Sequence, residues 1–300
     1  MMKKLLLTGA TGFLGRNILP DLKENYIVQT LGRSETNQVR CDLSNEVPDF
    51  TETYDIVLHA AGKAHVIPKT DEEIETFYKV NLEGTKNLCS GLEKTRLPES
   101  FVFISTVAVY GLDTGESVSE TADLKGNTPY AHSKILAEQY LQEWCAARGV
   151  KLSVLRLPLV AGVNPPGNLG AMINGIKKGR YFSIGKADAR KSVVMASDVA
   201  RLLSSLENRT GIYNLSDGYD PSFGELEQLI AEQHGKSKPL TIPYWIARLM
   251  AKCGDVIGRH APINTYKLEK IVNPLTFSSV KAQTELGWTP LRVLDNFKIS

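Results

Sequence analysis

The sequence lacks several features that would assign it to a large functional class. Its four cysteines are far apart, at positions 41, 89, 145 and 253, and no two of them form a CxxC pair. This spacing argues against a structural zinc site or a disulfide framework and indicates buried thiols in a reducing compartment. No apolar run approaches a membrane span, and three leucines near the N-terminus are too few for a signal-peptide core. We therefore expect a cytoplasmic protein with no metal site and no membrane span.

The charges show no excess of one sign. The 300 residues include 35 basic and 33 acidic side chains, which give a formal net charge of +2 and are spread along the chain. This distribution argues against a nucleic-acid-binding stripe and against a polybasic membrane anchor. With 42% hydrophobic residues, the chain can bury a large core in one large domain or two closely joined ones. We expect its partner to be a small molecule.

What the sequence does contain begins with a short apolar run that leads into three glycines. Leu5–Leu7 is typical of a strand buried on both faces, and Gly9, Gly12 and Gly15 follow it with GxxGxxG spacing. A glycine turn between a strand and a helix lets the backbone approach a pyrophosphate, which the helix N-terminus attracts. The turn therefore predicts a nucleotide-binding site.

The end of the predicted second strand bears on which dinucleotide fits. Strand Tyr26–Leu31 is followed by Gly32, Arg33 and Ser34. NAD-binding proteins carry at this place a carboxylate that bonds the ribose, and this sequence has none there. A cation and a hydroxyl suit a 2′-phosphate instead, because an arginine can bond a phosphate with two parallel hydrogen bonds. The sequence thus favours NADP over NAD, and the alternative is that Arg33 is a solvated surface residue.

Two further predicted strands bring polar and small residues to the same region. A third strand, Val39–Leu43, contains Asp42, which either accepts from an adenine amino group or caps the following turn. A fourth strand over residues 55–61 leads to small residues, Ala60 to Gly62, that leave room for a cofactor. His59 in this strand is interpreted as a hydrogen-bonded core histidine rather than a catalyst or metal ligand, since no second ligand has a useful spacing.

Three residues fit poorly in predicted helices. Pro20 lies late in a helix predicted over Phe13–Asn25 and should kink or end it. Asn81 and Gly84 lie inside a long helix predicted from Thr70 to Glu93. Helix interiors disfavour both residue types, so we expect a special structural reason for them.

The predicted fifth strand and the helix that follows it contain the candidate chemistry. The strand delivers Ser105 and Thr106 at its carboxyl end, where doubly wound sheets bind ligands. A helix predicted from near Tyr130 to Arg148 places Tyr130 and Lys134 on one face, at i and i+4. A neighbouring cation favours the phenolate, which would bring the pKa of Tyr130 towards a range useful for proton transfer. The alternative for this pair is a helix-start tyrosine with an incidental lysine.

Together these motifs resemble the extended class of the short-chain dehydrogenase/reductase superfamily over nearly the whole chain. The resemblance rests on the glycine turn, Asp42-Leu43, the run His59-Ala-Ala-Gly62, Asn81, the segment STVAVYG at 105–111, and Tyr130 with Lys134. It implies an α/β fold with a Rossmann-type doubly wound parallel sheet, formed by residues 1–157 and about 192–215. A smaller α/β substrate domain would be formed by residues 158–191 and 216–300.

The resemblance also implies roles for individual residues. Tyr130 would be the general acid/base, Lys134 would bond the ribose and lower the pKa of Tyr130, and Ser105 or Thr106 would hold the substrate hydroxyl. The implied cofactor contacts are Gly9, Gly12, Phe13, Leu14, Gly15, Arg33, Asp42, Leu43, Ala60, Ala61, Gly62, Asn81, Lys134 and Pro158. The implied substrate contacts are Ser105, Asn168, Leu169 and Arg190, with Arg190 on a diphosphate.

The implied function is an NAD(P)-dependent enzyme that acts on a nucleoside-diphosphate sugar, at C4, as an epimerase or a 4-keto reductase. Val107 and Ala108 stand where sugar-nucleotide dehydratases carry an acid and base pair, which disfavours dehydration. Two alternatives remain open, namely a reductase or dehydrogenase for a hydrophobic, sterol-like alcohol and a non-catalytic NADP sensor.

Two segments outside these motifs complete the expectations. The turn-rich segment from Gly111 to Pro129 is predicted to be a surface loop. The apolar-faced helix predicted over Tyr244–Ile257 is interpreted as core or dimer packing rather than membrane contact, and we expect a homodimer.

Overall fold

The computed structural model describes residues 2–64, 66–257 and 263–299, and its centre is a seven-stranded parallel sheet. The strands in chain order are β1 (Lys4–Thr8), β2 (Ile27–Gly32), β3 (Val39–Arg40), β4 (Ile56–His59), β5 (Ser100–Thr106), β6 (Gly115–Val118), β7 (Lys151–Leu157), β8 (Leu159–Ala161), β9 (Ser183–Ile184), β10 (Val193–Met195), β11 (Gly211–Asn214), β12 (Thr241–Ile242) and β13 (Leu275–Phe277). The central sheet has the order β11-β7-β5-β4-β1-β2-β3, with the strand order reversing beside β1. The predicted doubly wound parallel sheet is confirmed.

Helices cover both faces of this sheet. They are α1 (Phe13–Asn25), α2 (Asp71–Tyr78), α3 (Gly84–Leu92), α4 (Pro129–Arg148), α5 (Gly167–Lys177), α6 (Ala196–Leu206), α7 (Phe223–Gln233), α8 (Tyr244–Ile257), α9 (Thr265–Val272), α10 (Val280–Leu286) and α11 (Val293–Asn296). A π-helical turn, Lys79–Glu83, joins α2 to α3, and a 3₁₀ turn, Val107–Tyr110, follows β5.

Strand β1 shows why the sheet must be covered on both sides. Leu5, Leu6 and Leu7 are fully buried. Leu5 and Leu7 belong to the core layer that includes α1 and α6, whereas Leu6 belongs to the layer that includes α3 and α4. Because alternate side chains of a strand point to opposite faces, a run of three leucines can be buried only between two helical layers.

The effect predicted for Pro20 is wrong in its stronger form, because α1 continues past it to Asn25. Pro20 lies on the exposed side of the helix, while Ile18 and Leu22 are buried against the sheet on either side of it. The carbonyl that loses its hydrogen bond can therefore bind water at the surface, and the buried contacts keep the helix in register.

Smaller strand pairs lie outside the central sheet. β8 pairs with β10, β9 with β12 and β6 with β13, each in parallel. The prediction of a surface loop after Gly111 is therefore wrong in part, because this segment contains β6. Its partner β13 lies far away in sequence, so local turn signals could not indicate the pairing. The division into a nucleotide domain and a substrate domain stays a prediction.

The burial of the four cysteines and the length of the helices bear on two further expectations. Cys41, Cys89 and Cys145 are buried, but Cys253 is exposed on α8, contrary to the expectation that all four thiols are buried. Among the described ranges, no helix has the length and apolar character needed to cross a bilayer.

Candidate active site

The glycine turn forms a close-packed cradle at the end of β1. Gly9 has a φ of +74°, and a Cβ there would lie 2.6 Å from the backbone nitrogen of Ala61. A Cβ on Gly15 would collide with the carbonyl oxygen of Gly9. These two glycines therefore let the turn pack between the end of β4 and the first turn of α1.

The N-terminus of α1 is open to an anion. Gly12 is its N-cap, with no side-chain capping bond and no acidic residue in the first turn. The first amides of the helix thus point to the cradle with their donors and positive dipole end available. The cradle fits the pyrophosphate of a dinucleotide, held by backbone amides near Gly12, Phe13 and Leu14.

Gly62 marks the place where three parts of the chain meet. A Cβ at this position would lie 3.2 Å from Oδ1 of Asn81 and 3.8 Å from Nζ of Lys134. The segment after β4, the π-helical turn and α4 therefore converge beside Gly62. The small residue Gly62 makes this approach possible, and the role of Ala60, Ala61 and Gly62 in leaving room for a cofactor stays a prediction.

The predicted special reason for Asn81 is a π-helical turn. Its side chain is buried, and its Oδ1 accepts from the backbone nitrogen of Lys63 at 2.7 Å. Its Nδ2 donates to the Lys63 carbonyl at 3.2 Å and to Oγ of Ser133 at 2.9 Å. The Ser133 hydroxyl donates to the carbonyl of Tyr130 at 2.8 Å. Asn81 thus ties the segment after β4 to the first turn of α4, and π-turns are often found at functional sites.

His59 belongs to a satisfied hydrogen-bond chain in the core, as predicted. The Thr85 hydroxyl donates to the carbonyl of Asn81 at 2.7 Å, so it accepts from Nε2 of His59 at 2.9 Å. Nδ1 then accepts from the hydroxyl of Thr8 at 2.6 Å, and that oxygen accepts from the amide of Ala61 at 3.1 Å. Burial lowers the pKa of His59 to about 3, with a further decrease from Lys134. The neutral ring links β1 and β4 to the π-helical turn.

Tyr130 lies in the first turn of α4, whose start is specified locally. Thr128 is the N-cap and accepts from the amide of Ala131 at 3.2 Å, and Pro129 occupies the first helical position. The Tyr130 ring lies 6.3 Å from that of Phe77. Burial raises the pKa of Tyr130, and hydrogen bonding with the Thr106 side chain offsets part of this increase. The predicted lowering of this pKa by Lys134 is therefore wrong for the structure described, because desolvation dominates and burial also lowers the pKa of Lys134 to about 7, which weakens its positive charge near neutral pH.

Lys134 is almost completely buried one turn further along α4. Its ammonium lies 4.0 Å from the centroid of the Phe103 ring. Burial lowers the pKa of Lys134 to about 7, and the nearby Glu138 carboxylate acts in the opposite direction. Lys134 therefore lies where a small change in surroundings alters its charge near neutral pH.

The structure separates the two hydroxyl residues at the end of β5. The Ser105 hydroxyl donates to Oε1 of Glu138, which is fully buried. Arg156 donates to the same carboxylate, from Nε at 3.2 Å and from Nη2 at 2.7 Å. Thr106 is the hydroxyl brought to Tyr130. The geometry therefore favours Thr106 for the role that the resemblance gives to either residue. Sequence reasoning missed Glu138 and Arg156.

Just after β3, Asp42 forms a local turn. Its carboxylate accepts from the amide of Ser44 at 3.1 Å and from the hydroxyl of Ser44 at 2.7 Å, as its capping alternative predicts. Leu43 is buried, and its carbonyl accepts from Asn87 at 2.8 Å. Arg33 is exposed just after β2. The roles of these residues towards a cofactor stay predictions.

The residues predicted to contact substrate are only partly brought together. Asn168 and Leu169 lie inside the first turn of α5 rather than before it, and Leu169 is buried. Pro158 lies between β7 and β8. Arg190 donates to the carbonyls of Tyr219 at 3.1 Å and Asp220 at 3.0 Å.

Lys191 adjoins Arg190 and lies against a different part of the chain. Its side chain is half-buried, donates to the carbonyl of Asn273 at 2.8 Å, and has a pKa lowered by burial to about 8.

Comparison with known proteins identifies the family. The sequence profile of the NAD-dependent epimerase/dehydratase family matches residues 5–215. The chain belongs to this family. Its members include NAD(P)-dependent enzymes of the extended short-chain dehydrogenase/reductase class, so the Rossmann-type fold and the dependence on NAD or NADP agree with the expectations from sequence.

Individual similarities cover nearly the whole chain. UDP-glucose 4-epimerase of Vibrio cholerae is 27% identical over 324 residues, which cover 99% of this chain and 94% of that protein. N-acetyl-alpha-D-glucosaminyl-diphospho-ditrans,octacis-undecaprenol 4-epimerase of Escherichia coli O157:H7 is 24% identical, over 95% of this chain and 90% of that protein. The structure of RMD from Pseudomonas aeruginosa complexed with NADPH has a TM-score of 0.74 at 22% identity, with 99% and 96% coverage. At this identity the structural match supports the fold alone.

Proposed function

We propose that this family member is an NAD(P)-dependent oxidoreductase that acts at C4 of a nucleoside-diphosphate sugar, as a 4-epimerase or a 4-keto reductase. The observation that carries the proposal is that Lys134 lies beside Gly62, next to the glycine cradle, while Tyr130, one turn earlier on α4, is hydrogen-bonded with the Thr106 side chain. The Vibrio cholerae and Escherichia coli O157:H7 relatives are both named as 4-epimerases of diphosphate-linked sugars, which supports the choice of C4.

In this proposal Tyr130 moves the proton of the sugar oxygen. Its raised pKa keeps the phenol protonated at neutral pH, so it is ready to donate to a carbonyl oxygen. Thr106 holds that oxygen next to the phenol. When bound, the nicotinamide supplies a hydride to C4 or accepts one from it. In reduction, C4 gains the hydride and its oxygen gains the proton of Tyr130. Epimerisation starts from the deprotonated form of Tyr130, which first accepts the hydroxyl proton as C4 loses its hydride and later returns that proton as C4 regains a hydride.

Dehydration is not part of the proposal. Val107 and Ala108 form the start of the 3₁₀ turn that follows Thr106, and neither side chain can donate or accept a proton. Elimination of water needs an acid and a base at the reacting carbons.

The exposed position of Arg33 after β2 is consistent with binding a 2′-phosphate, and we propose a preference for NADP. The Arg33→Asp variant should bind NADP at least tenfold more weakly and NAD no more weakly, measured by titration of protein fluorescence. Equal loss of both cofactors would contradict the preference.

Substrate assays distinguish the two C4 reactions. A 4-keto nucleotide sugar mixed with NADPH should lower the cofactor absorbance if the enzyme is a reductase. Interconversion of C4 epimers with no net change in absorbance indicates an epimerase. If neither reaction occurs and bare UDP or dTDP gives no thermal shift, the nucleotide-sugar proposal is wrong, and a hydrophobic alcohol becomes the better substrate class.

Three variants test the catalytic assignment. Tyr130→Phe should lower kcat by about 10²- to 10⁴-fold while leaving cofactor binding nearly unchanged, because only the phenolic proton is removed. Thr106→Val should lower kcat as well, whereas Ser105→Ala should act mainly on stability. An unchanged kcat in Tyr130→Phe would contradict this assignment, whereas NADP binding by a parent protein without measurable turnover would support the non-catalytic NADP sensor.

A further inference from the structure

Helix α8 is oriented with its small residues inward and its large apolar residues outward. Ala247, Ala251 and Gly254 are buried, and the two alanines pack with Leu268 of α9. On the opposite side, Trp245 is 64% exposed and Val256 is 89% exposed, and Leu249 is exposed with them. An amphipathic helix of a soluble protein normally buries its large apolar side chains. The interpretation of this apolar face as core packing is therefore wrong, because its large side chains lie outside the core and are available for another partner.

The spacing of these side chains defines one stripe. Trp245, Leu249 and Val256 lie at i, i+4 and i+11, which project from the same side of an α-helix. We call this stripe the outer face of α8.

The apolar surface extends beyond the helix. β12 leads directly into α8 and pairs with β9. Leu240 and Phe182 precede these two strands and are both largely exposed. The amide of Ser183 donates to the carbonyl of Leu240 at 2.9 Å, which places the two exposed residues on neighbouring chain segments. Exposed apolar side chains on these segments and on α8 indicate an interaction site in this part of the molecule.

Charge selects the partner. Arg248 and Lys252 lie on the outer face of α8 between the apolar side chains, and both are exposed. Neither forms an ion pair with any residue in the described ranges. The nearby acid, Asp255, accepts instead from the amide of Thr265 at 3.0 Å and from its hydroxyl. The outer face is thus apolar and cationic.

A second copy of the chain is a poor partner for this face. A two-fold interface brings a patch against itself. The second copy would then offer Arg248 and Lys252 no uncommitted carboxylate, because the nearby Asp255 is already bonded to Thr265. An anionic lipid surface complements both the cations and the apolar side chains, and tryptophan favours the boundary between headgroups and acyl chains. We propose that the outer face of α8 docks the enzyme on the surface of an anionic phospholipid membrane.

The chain contains its own reporter for this docking. Of its three tryptophans, Trp144 and Trp288 are only 3% and 5% exposed, whereas Trp245 lies on the outer face of α8. Adding vesicles of phosphatidylcholine with phosphatidylglycerol should shift the emission of the full-length protein to the blue. Lipids brominated near the headgroup should quench it. Vesicles of phosphatidylcholine alone should give a much smaller effect, and salt should weaken binding.

Three variants test the surface directly, in vesicle co-sedimentation. Leu249→Gln combined with Val256→Gln should lower the partition coefficient at least tenfold, and so should Arg248→Glu combined with Lys252→Glu. Val280→Gln, at an exposed apolar residue on α10, should leave it unchanged. Sugar-nucleotide turnover in solution should stay the same in all three, because none of these residues lies at the catalytic site.

Two results would overturn the proposal. One is the absence of a Trp245 shift and of co-sedimentation with phosphatidylglycerol vesicles at low salt. The other is a dimer in sedimentation equilibrium that dissociates when Leu249 and Val256 are changed to glutamine, which would assign the face to a second copy of the chain.

Discussion

The buried ion pair between α4 and β7 predicts a large loss of stability from a nearly isosteric change. Glu138 of α4 is fully buried, and Arg156 of β7 is only 2% exposed. The carboxylate accepts three hydrogen bonds, two from Arg156 and one from Ser105. Glu138→Gln preserves the size of the side chain but leaves the Arg156 guanidinium charged and without its counter-ion.

The magnitude follows from the burial of both partners. Breaking a buried pair by neutralising one member costs about 3–5 kcal/mol, because the other charge remains desolvated and uncompensated. Arg156 keeps a bond from Nη1 to the hydroxyl of Tyr110 at 3.0 Å, and the glutamine oxygen can still accept a hydrogen bond. We therefore expect a loss near the lower limit, about 3 kcal/mol in the free energy of unfolding.

Urea unfolding of a double-mutant cycle measures this effect. Glu138→Gln and Arg156→Met should each lower the unfolding free energy by about 3 kcal/mol. The double variant should lose at least about 1.5 kcal/mol less than the sum, because no lone charge remains buried. The matched control is Glu52→Gln, which removes an exposed pair with Lys4 at 2.9 Å and should cost less than about 1 kcal/mol.

Additive losses in this cycle would refute the reasoning, since they would show that the two side chains do not interact. A loss below about 1 kcal/mol in Glu138→Gln would also refute it, because the Arg156 charge would then be solvated in the folded protein.

Two further predictions concern the residues around the site. Asn81→Leu removes the bonds to Lys63 and Ser133 and leaves buried backbone groups unpaired, so it should lower the free energy of unfolding in urea by about 1–3 kcal/mol and raise KM for the cofactor. The control is Asn87→Leu, at a half-buried amide elsewhere on the same segment. Equal KM effects in the two variants would contradict a site-specific role for Asn81. Lys134 has a folded-state pKa lowered from 10.5 to about 7, so the unfolded chain binds more protons between these values and the Lys134 contribution to stability rises with pH across that window. Lys134→Met should therefore gain stability relative to the parent at pH 6 and lose that advantage towards pH 10; a pH-independent difference would show that Lys134 is not desolvated.

The sequence predicts the parts of the fold that depend on local patterns. Three consecutive leucines followed by spaced glycines are sufficient to predict β1 and the cradle, because burial on both faces and close backbone approach each demand those residue types. Pairing between distant segments could not be predicted. β6 and β13 have short, mixed sequences, and their contact depends on how the rest of the chain folds.

The sequence indicated which residues form the candidate site, but it did not indicate their pKa values. The i, i+4 spacing places Tyr130 and Lys134 on one face, but it contains no information about how much water reaches them. Burial raises the pKa of Tyr130 and lowers that of Lys134, so both groups favour their neutral forms. The sequence likewise showed that Asn81 is unusual in a helix, but only the structure shows the extra residue of the π-helical turn that points its amide towards Lys63 and Ser133.

Ser105 and Thr106 have different partners because they meet different residues on one side of helix α4. Tyr130, Lys134 and Glu138 recur every four residues and so form one stripe of the helix, which begins at the site and continues into the core. Ser105 meets this stripe at its inner end, at Glu138, whereas Thr106 meets it at Tyr130. The buried carboxylate is tolerated because Arg156 neutralises it, and it in turn favours the charged form of Lys134. The ion pair in the core is therefore coupled electrostatically to the lysine of the site.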